Sequence, residues 1–157
     1  MYIISRCLLG VNCKYNGGNN LTPDVVQFCK EHAYVTVCPE SAGGLKSPRE
    51  PAELLVCKDG NLRVTDRGGI DRTEAFVRGA QISLQEALDR AEALGEPVEG
   101  AVLKARSPSC GVRQIYDGTF SGTLIPGDGI FTRMLRARGI PVMTEQNLKE
   151  NHTNDQF

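Results

Sequence analysis

Cysteines stand at positions 7, 13, 29, 38, 57 and 110 of this chain, and one of them has an unusual setting. Cys110 lies within RSPSCG, Arg106 to Gly111, between serines, a proline and a glycine, directly after the apolar run AVLKA. A cysteine kept for packing is better served by apolar neighbours than by hydroxyls and turn formers. This thiol therefore reads as chemical. Cys7 and Cys38 end two other β-prone runs, MYIISRC and AYVTVC, and Cys13 follows Cys7 in a loop-like stretch. Cys29 and Cys57 differ, because each sits among apolar residues inside an expected element, where a small buried hydrophobe is the ordinary role.

Three thiolates around an open position suit either zinc or an iron-sulfur cluster. Zinc sites usually show close pairs such as C-x-x-C, which this sequence does not contain. A cuboidal cluster is larger and accepts thiols from separate loops, and an iron without a protein ligand is a Lewis acid for soft sulfur. Cys13 can join such a set or support it. Glu40, two residues after Cys38 in CPES, is held by Pro39 near whatever Cys38 binds, which makes it a candidate general acid or base. Ser107 and Ser109 either orient a substrate or stabilise the turn around Pro108. Lys46, Arg49, Lys104 and Arg106 are candidate contacts for an anionic or carbonyl-rich substrate. His32, at a helix end, suits capping or packing, and His152 lies in the tail.

The elements that must position these residues follow from periodicity. Buried strands are expected at about 1–7, 33–38, 101–105 and 140–144. Thr22 and Pro23 start a helix that stops near His32. A longer helix runs from Thr73 to Leu94, its apolar residues recurring at three- and four-residue steps before Gly95, and a third covers Ile130 to Arg138. ELLVCKDGNLRVTD reads as a hairpin around Asp59-Gly60. PESAGGLKSPREPA and IYDGTFSGTLIPGDG read as irregular loops, and the polar tail as flexible from about residue 148. Strands separated by helices predict a three-layer α/β fold, an open parallel sheet with an inserted β-hairpin, forming a single domain over 1–157. In such sheets, ligands bind beyond the carboxyl ends of the strands. Cys7, Cys38 and Cys110 all follow strands, so the sheet can gather them on one edge.

Composition narrows the class further. The 157 residues are 40% hydrophobic and 24% charged, with a net charge of −1, as in an ordinary globular protein. Nucleic acid is not indicated as an obligatory partner. The N-terminus lacks the pattern of a signal peptide, and no apolar run approaches the length that spans a bilayer. A cytoplasmic protein with reduced thiols is expected, which favours metal binding, catalysis or burial over disulfides. Composition leaves the oligomeric state open.

The motifs CLLG at Cys7, CKYNG at Cys13, CPE at Cys38, GGL at Gly43, SPSCG at Ser107 and IYDGTFSG at Ile115 occur in an order that resembles the thiouracil desulfidase family. The likeness spans nearly the whole chain, with Lys14 and Asn16 standing where arginine and aspartate are usual. The resemblance implies a Rossmann-like domain with a 4Fe-4S cluster on Cys7, Cys38 and Cys110, Cys13 being a possible substitute. It further implies that Glu40 and a serine of SPSCG, Ser107 or Ser109, are catalytic in replacing the sulfur of a thiolated pyrimidine by oxygen, with sulfide released and no external reductant. A related branch acts on 4-thiouridine in transfer RNA and often carries an additional C-terminal domain. Without that domain, the resemblance favours a free thiolated base or nucleoside as substrate. The readings from other classes are a non-catalytic iron-sulfur or zinc module for sulfide or metal handling, and a thiol redox protein using Cys7 and Cys13.

Overall fold

The structure, a computed structural model, describes the backbone of residues 1–151 and the side chains of residues 1–148. Its centre is a four-stranded parallel sheet in the order β2-β1-β5-β8, made of β1 (Tyr2–Ser5), β2 (Tyr34–Val37), β5 (Gly100–Leu103) and β8 (Val142–Thr144). These are the four strands expected from the sequence, each somewhat shorter. Successive residues of a strand face opposite sides of the sheet, and the two faces bury separate cores. Ile3, Ala101 and Leu103 pack with α3 (Thr73–Leu94) and α4 (Ile130–Ala137), whereas Ile4, Val102 and Met143 pack with α1 (Pro23–Glu31) and α5 (Glu145–Asn151). The result is three layers, helix on sheet on helix.

The expected hairpin is present as β3 (Ala52–Val56) and β4 (Leu62–Asp66), an antiparallel pair outside the central sheet. Three expectations need correction. PESAGGLKSPREPA is not wholly irregular, because Pro39–Ala42 form a short helix, α2, with proline at its first turn. IYDGTFSGTLIPGDG contains a second small hairpin, β6 (Gln114–Tyr116) with β7 (Leu124–Pro126). Cys57 lies just past the end of β3, half-buried at the mouth of the hairpin turn, rather than inside an apolar element. The tail expected to be flexible starts within α5, and His152 with the rest of 152–157 lies outside the described residues.

Strand order defines where a ligand fits. The chain leaves β1 through α1 for β2 on one side, and leaves β5 for β8 on the other, so the connections diverge between the adjacent strands β1 and β5. Such a divergence opens a crevice at the carboxyl ends of the strands. Among the described residues, no helix is long and apolar enough to cross a membrane.

Candidate active site

A cavity of about 520 Å³ occupies this crevice, and Cys7, Cys13, Cys38 and Cys110 all line it together with Glu40. Cys7 sits in the single 3-10 turn Arg6–Leu9 that follows β1. Cys38 bridges β2 to α2 as the residue before Pro39. Cys110 closes a compact turn after β5: Ser107 Oγ accepts from the backbone N–H groups of Ser109 and Cys110, at 3.1 and 3.0 Å, and Gly111 N–H donates to Ser107 O at 2.8 Å. The same turn serves α4. The carbonyls of Pro108 and Ser109 accept from Ile130 and Phe131 at the start of that helix, so N–H groups that a helix start leaves over find partners there.

Each thiol has a polar neighbour. Asn20 Nδ2 donates to Cys7 Sγ at 3.4 Å, and Ser41 Oγ lies 3.2 Å from Cys38 Sγ. Ser5, at the end of β1, lies beside the Cys110 thiol and accepts from Lys104 N at 3.0 Å, tying the end of β1 to the end of β5. Burial pushes the Cys7 and Cys110 thiols above the ordinary range, opposed by the Asn20 hydrogen bond and by the nearby Ser5 hydroxyl respectively. A hydrogen bond from Cys13 lowers Cys38, helped by Ser41 and the Arg49 charge, while Cys13 is raised by the same contact. Thiols that resist ionising when buried alone need a cationic core to hold them as thiolates.

Glu40 is 20% exposed and points its carboxylate at Arg49, whose Nη2 lies 3.1 Å from Glu40 Oε1. Burial raises Glu40 above the usual carboxylate range, and Arg49 pulls it part of the way back. The same Nη2 donates to Cys13 O at 3.1 Å, and Nη1 donates to Lys46 O at 3.1 Å. Arg49 thus fixes the Glu40 carboxylate against the loop that carries Cys13. Ser109 Oγ is buried beside Glu40, close enough to lower it slightly yet without a hydrogen bond of normal geometry. Ser107 borders the cavity itself, with its hydroxyl proton still free to donate.

The remaining candidates divide clearly. Arg49, Lys104 and Arg106 line the cavity, but Lys46 is exposed outside it. Lys104 Nζ pairs with Glu145 at 3.5 Å, and Arg106 keeps a buried Nε without a partner. His32 closes α1, with Nδ1 2.9 Å from Phe28 O and its ring stacked on Phe28, the packing role expected of it. Cys29 belongs to the core between α1 and the sheet, and burial raises it to about 11. Residues that sequence reasoning passed over include Ser5, Asn20, Glu53, Arg67, Tyr116 and Phe120, which all line the cavity. Only IYDGTFSG, quoted as a family motif, carried any signal for the last two.

The donor set fits a cluster better than a single ion. Among the described residues, no group of three His, Cys, Asp or Glu is placed to hold one metal ion, yet thiols from separate segments surround one cavity. A cuboidal cluster uses donors spread more widely, and the Asn20 hydrogen bond to the Cys7 sulfur is of the kind that tunes such a centre.

The fold and site define an open-sheet α/β protein with a thiol-lined crevice at its strand ends. Comparison gives the family: the model described as 2-thiouracil desulfurase matches residues 2–147, and the chain belongs to that family. It is 35% identical over 155 residues to the uncharacterized protein YbbK of Bacillus subtilis (strain 168), covering 96% of this chain and 99% of that one. Among solved structures it is similar to the [4Fe-4S]-dependent thiouracil desulfidase TudS, with a TM-score of 0.77, 38% identity, and coverage of 95% of this chain and 93% of that chain.

Proposed function

We propose that this protein is a desulfidase that replaces the sulfur of a thiolated pyrimidine by oxygen, using a 4Fe-4S cluster held by Cys7, Cys38 and Cys110. The observation that carries the reading is the meeting of these thiols with Glu40 around one cavity at the strand ends. Family membership and the likeness to a [4Fe-4S]-dependent thiouracil desulfidase support it. When bound, the cluster supplies a Lewis-acidic iron to which a thiocarbonyl sulfur can attach.

The chain's own residues do the rest. Glu40 Oε accepts a proton from the water that adds to the thiocarbonyl carbon, and returns it as the carbon-sulfur bond breaks. Burial suits it to this exchange by lifting it toward neutral pH, and Arg49 fixes its orientation. Ser107 donates a hydrogen bond to the substrate from the cavity rim. Ser109 acts behind Glu40 as a positioning residue, and Cys13 supports Cys38 rather than binding iron. The cavity of about 520 Å³ suits a free base or nucleoside as substrate, and the reaction belongs in the reducing cytoplasm, where free thiols persist.

The test is a sulfide-release assay. Protein loaded with cluster under anaerobic conditions is given 2-thiouracil or 4-thiouracil without reductant, and hydrogen sulfide and oxo base are both measured. Equal amounts of the two are expected. Tight binding of the thiobase with no sulfide released supports a non-catalytic module instead.

A further inference from the structure

The thiols and Glu40 account for the sulfur and the carbon that bears it, but a flat heterocycle also presents two ring faces. Recognition of such rings rests on aromatic packing. Phe120 lines the cavity from the turn between β6 and β7, half-buried, with the Arg67 guanidinium 5.8 Å from its ring centroid. A cation over one face of the ring favours that orientation and leaves the other face for a ligand.

Its backbone is unusual. Phe120 has φ +58, in the left-handed region that glycine enters freely and a bulky side chain does not. Gly118 and Gly122, which flank it, have φ +93 and +79 and meet the same demand without strain. Glu53 of β3 holds the turn in place: its Oε1 accepts from Gly118 N at 3.0 Å and from Phe120 N at 3.1 Å. A carboxylate spent on two backbone N–H groups fixes a conformation that the sequence would not choose unaided.

Building on the desulfidase reading, we infer that Phe120 packs against the ring of the substrate and that Glu53 is the positioning residue that holds it in the cavity wall. Packing on a ring face is indifferent to where the sulfur sits, so it recognises flat thiolated heterocycles as a class, while the iron and Glu40 select the carbon attacked.

The experiment compares the cluster-loaded wild type with Phe120→Asn, since asparagine accepts the left-handed backbone. KM for 2-thiouracil should rise roughly tenfold with kcat changed less than twofold, and the dissociation constant for uracil, measured by equilibrium dialysis, should rise by the same factor. Melting temperature should not fall, because the strained side chain is gone. Glu53→Ala should reproduce the KM and uracil effects, and Glu53→Gln, which keeps the accepting oxygen, should restore them. Unchanged KM and uracil affinity in Phe120→Asn, or a lower kcat with KM intact, would overturn the assignment. A wild type that releases no sulfide counts against desulfidation itself, and the uracil measurement then still decides the role of Phe120.

Discussion

Gly79, inside the long helix α3, packs so tightly against Pro39 that a β-carbon there would collide with the Pro39 carbonyl. A β-carbon at Gly43, at the end of α2, would likewise collide with the Ala75 carbonyl of α3. Glycine weakens a helix interior by about 1 kcal/mol relative to alanine, so its presence at position 79 needs a reason. The reason is the approach of α2, whose entry carries Cys38, Pro39 and Glu40. Backbone against backbone sets the position of a thiol and a carboxylate in the cavity at once.

Gly79→Ala should therefore lose stability despite the better helix former. Overpacking of this kind costs roughly 3 kcal/mol, visible in a denaturant titration. The same variant, assayed at a temperature where it is folded, should bind less iron than wild type. Gly95→Ala, at a left-handed cap in open space, should lose stability without touching the iron content.

The cysteines should separate by substitution. Cys7→Ser, Cys38→Ser and Cys110→Ser are each expected to abolish stable iron and acid-labile sulfide after anaerobic loading. Cys13→Ser should keep the cluster but alter its visible spectrum through the lost contact with Cys38. Cys29→Ser and Cys57→Ser should load like wild type. Iron and sulfide analysis of the six proteins checks this directly.

Glu40→Gln should retain the cluster and lose roughly 100- to 10,000-fold in kcat. The pH profile gives a second check. Burial disfavours the ionised carboxylate, so Glu40 binds its proton at higher pH than an ordinary glutamate. Activity that needs it ionised should fall on acidification in a range above the usual carboxylate values. Glu40→Gln should remove that acid limb from its residual rate.

Asp66 offers a test of the scaffold alone. It is 3% exposed, accepts from Ile70 N at 3.0 Å and pairs with Arg72 at 3.1 Å, closing the turn between β4 and α3. The Ile70 N–H, with Arg72 behind it, holds Asp66 below its ordinary value of 3.8. A depressed folded value means that the contribution is complete at neutral pH and is lost as pH falls through the folded value. Asp66→Asn should cost about 1–2 kcal/mol at pH 7 and show a shallower loss of stability on acidification.

Much of this architecture was legible in the sequence because its signals are local. Alternation and apolar runs marked the four sheet strands, and Asp59-Gly60 marked the first hairpin. Strand ends then placed Cys7, Cys38 and Cys110 on one edge before any distance was known. The small hairpin of residues 114–126 was hidden by glycines and by strands of three residues, too short for alternation to register. Helix α2 was masked by its prolines and glycines, since its stability comes from contact with Gly79 far along the chain. The role of Arg49 was legible only as a charge. Its grip on Glu40 and Cys13 O depends on two loops meeting, which no local pattern encodes.

The most direct test of the central claim is a Mössbauer spectrum of the iron-57-loaded protein, with and without 2-thiouracil. Three protein thiols and one vacant vertex predict a three-to-one pattern of iron sites, in which the single site changes on adding 2-thiouracil and not on adding uracil. Four equivalent irons, or a spectrum indifferent to the thiobase, would contradict the account.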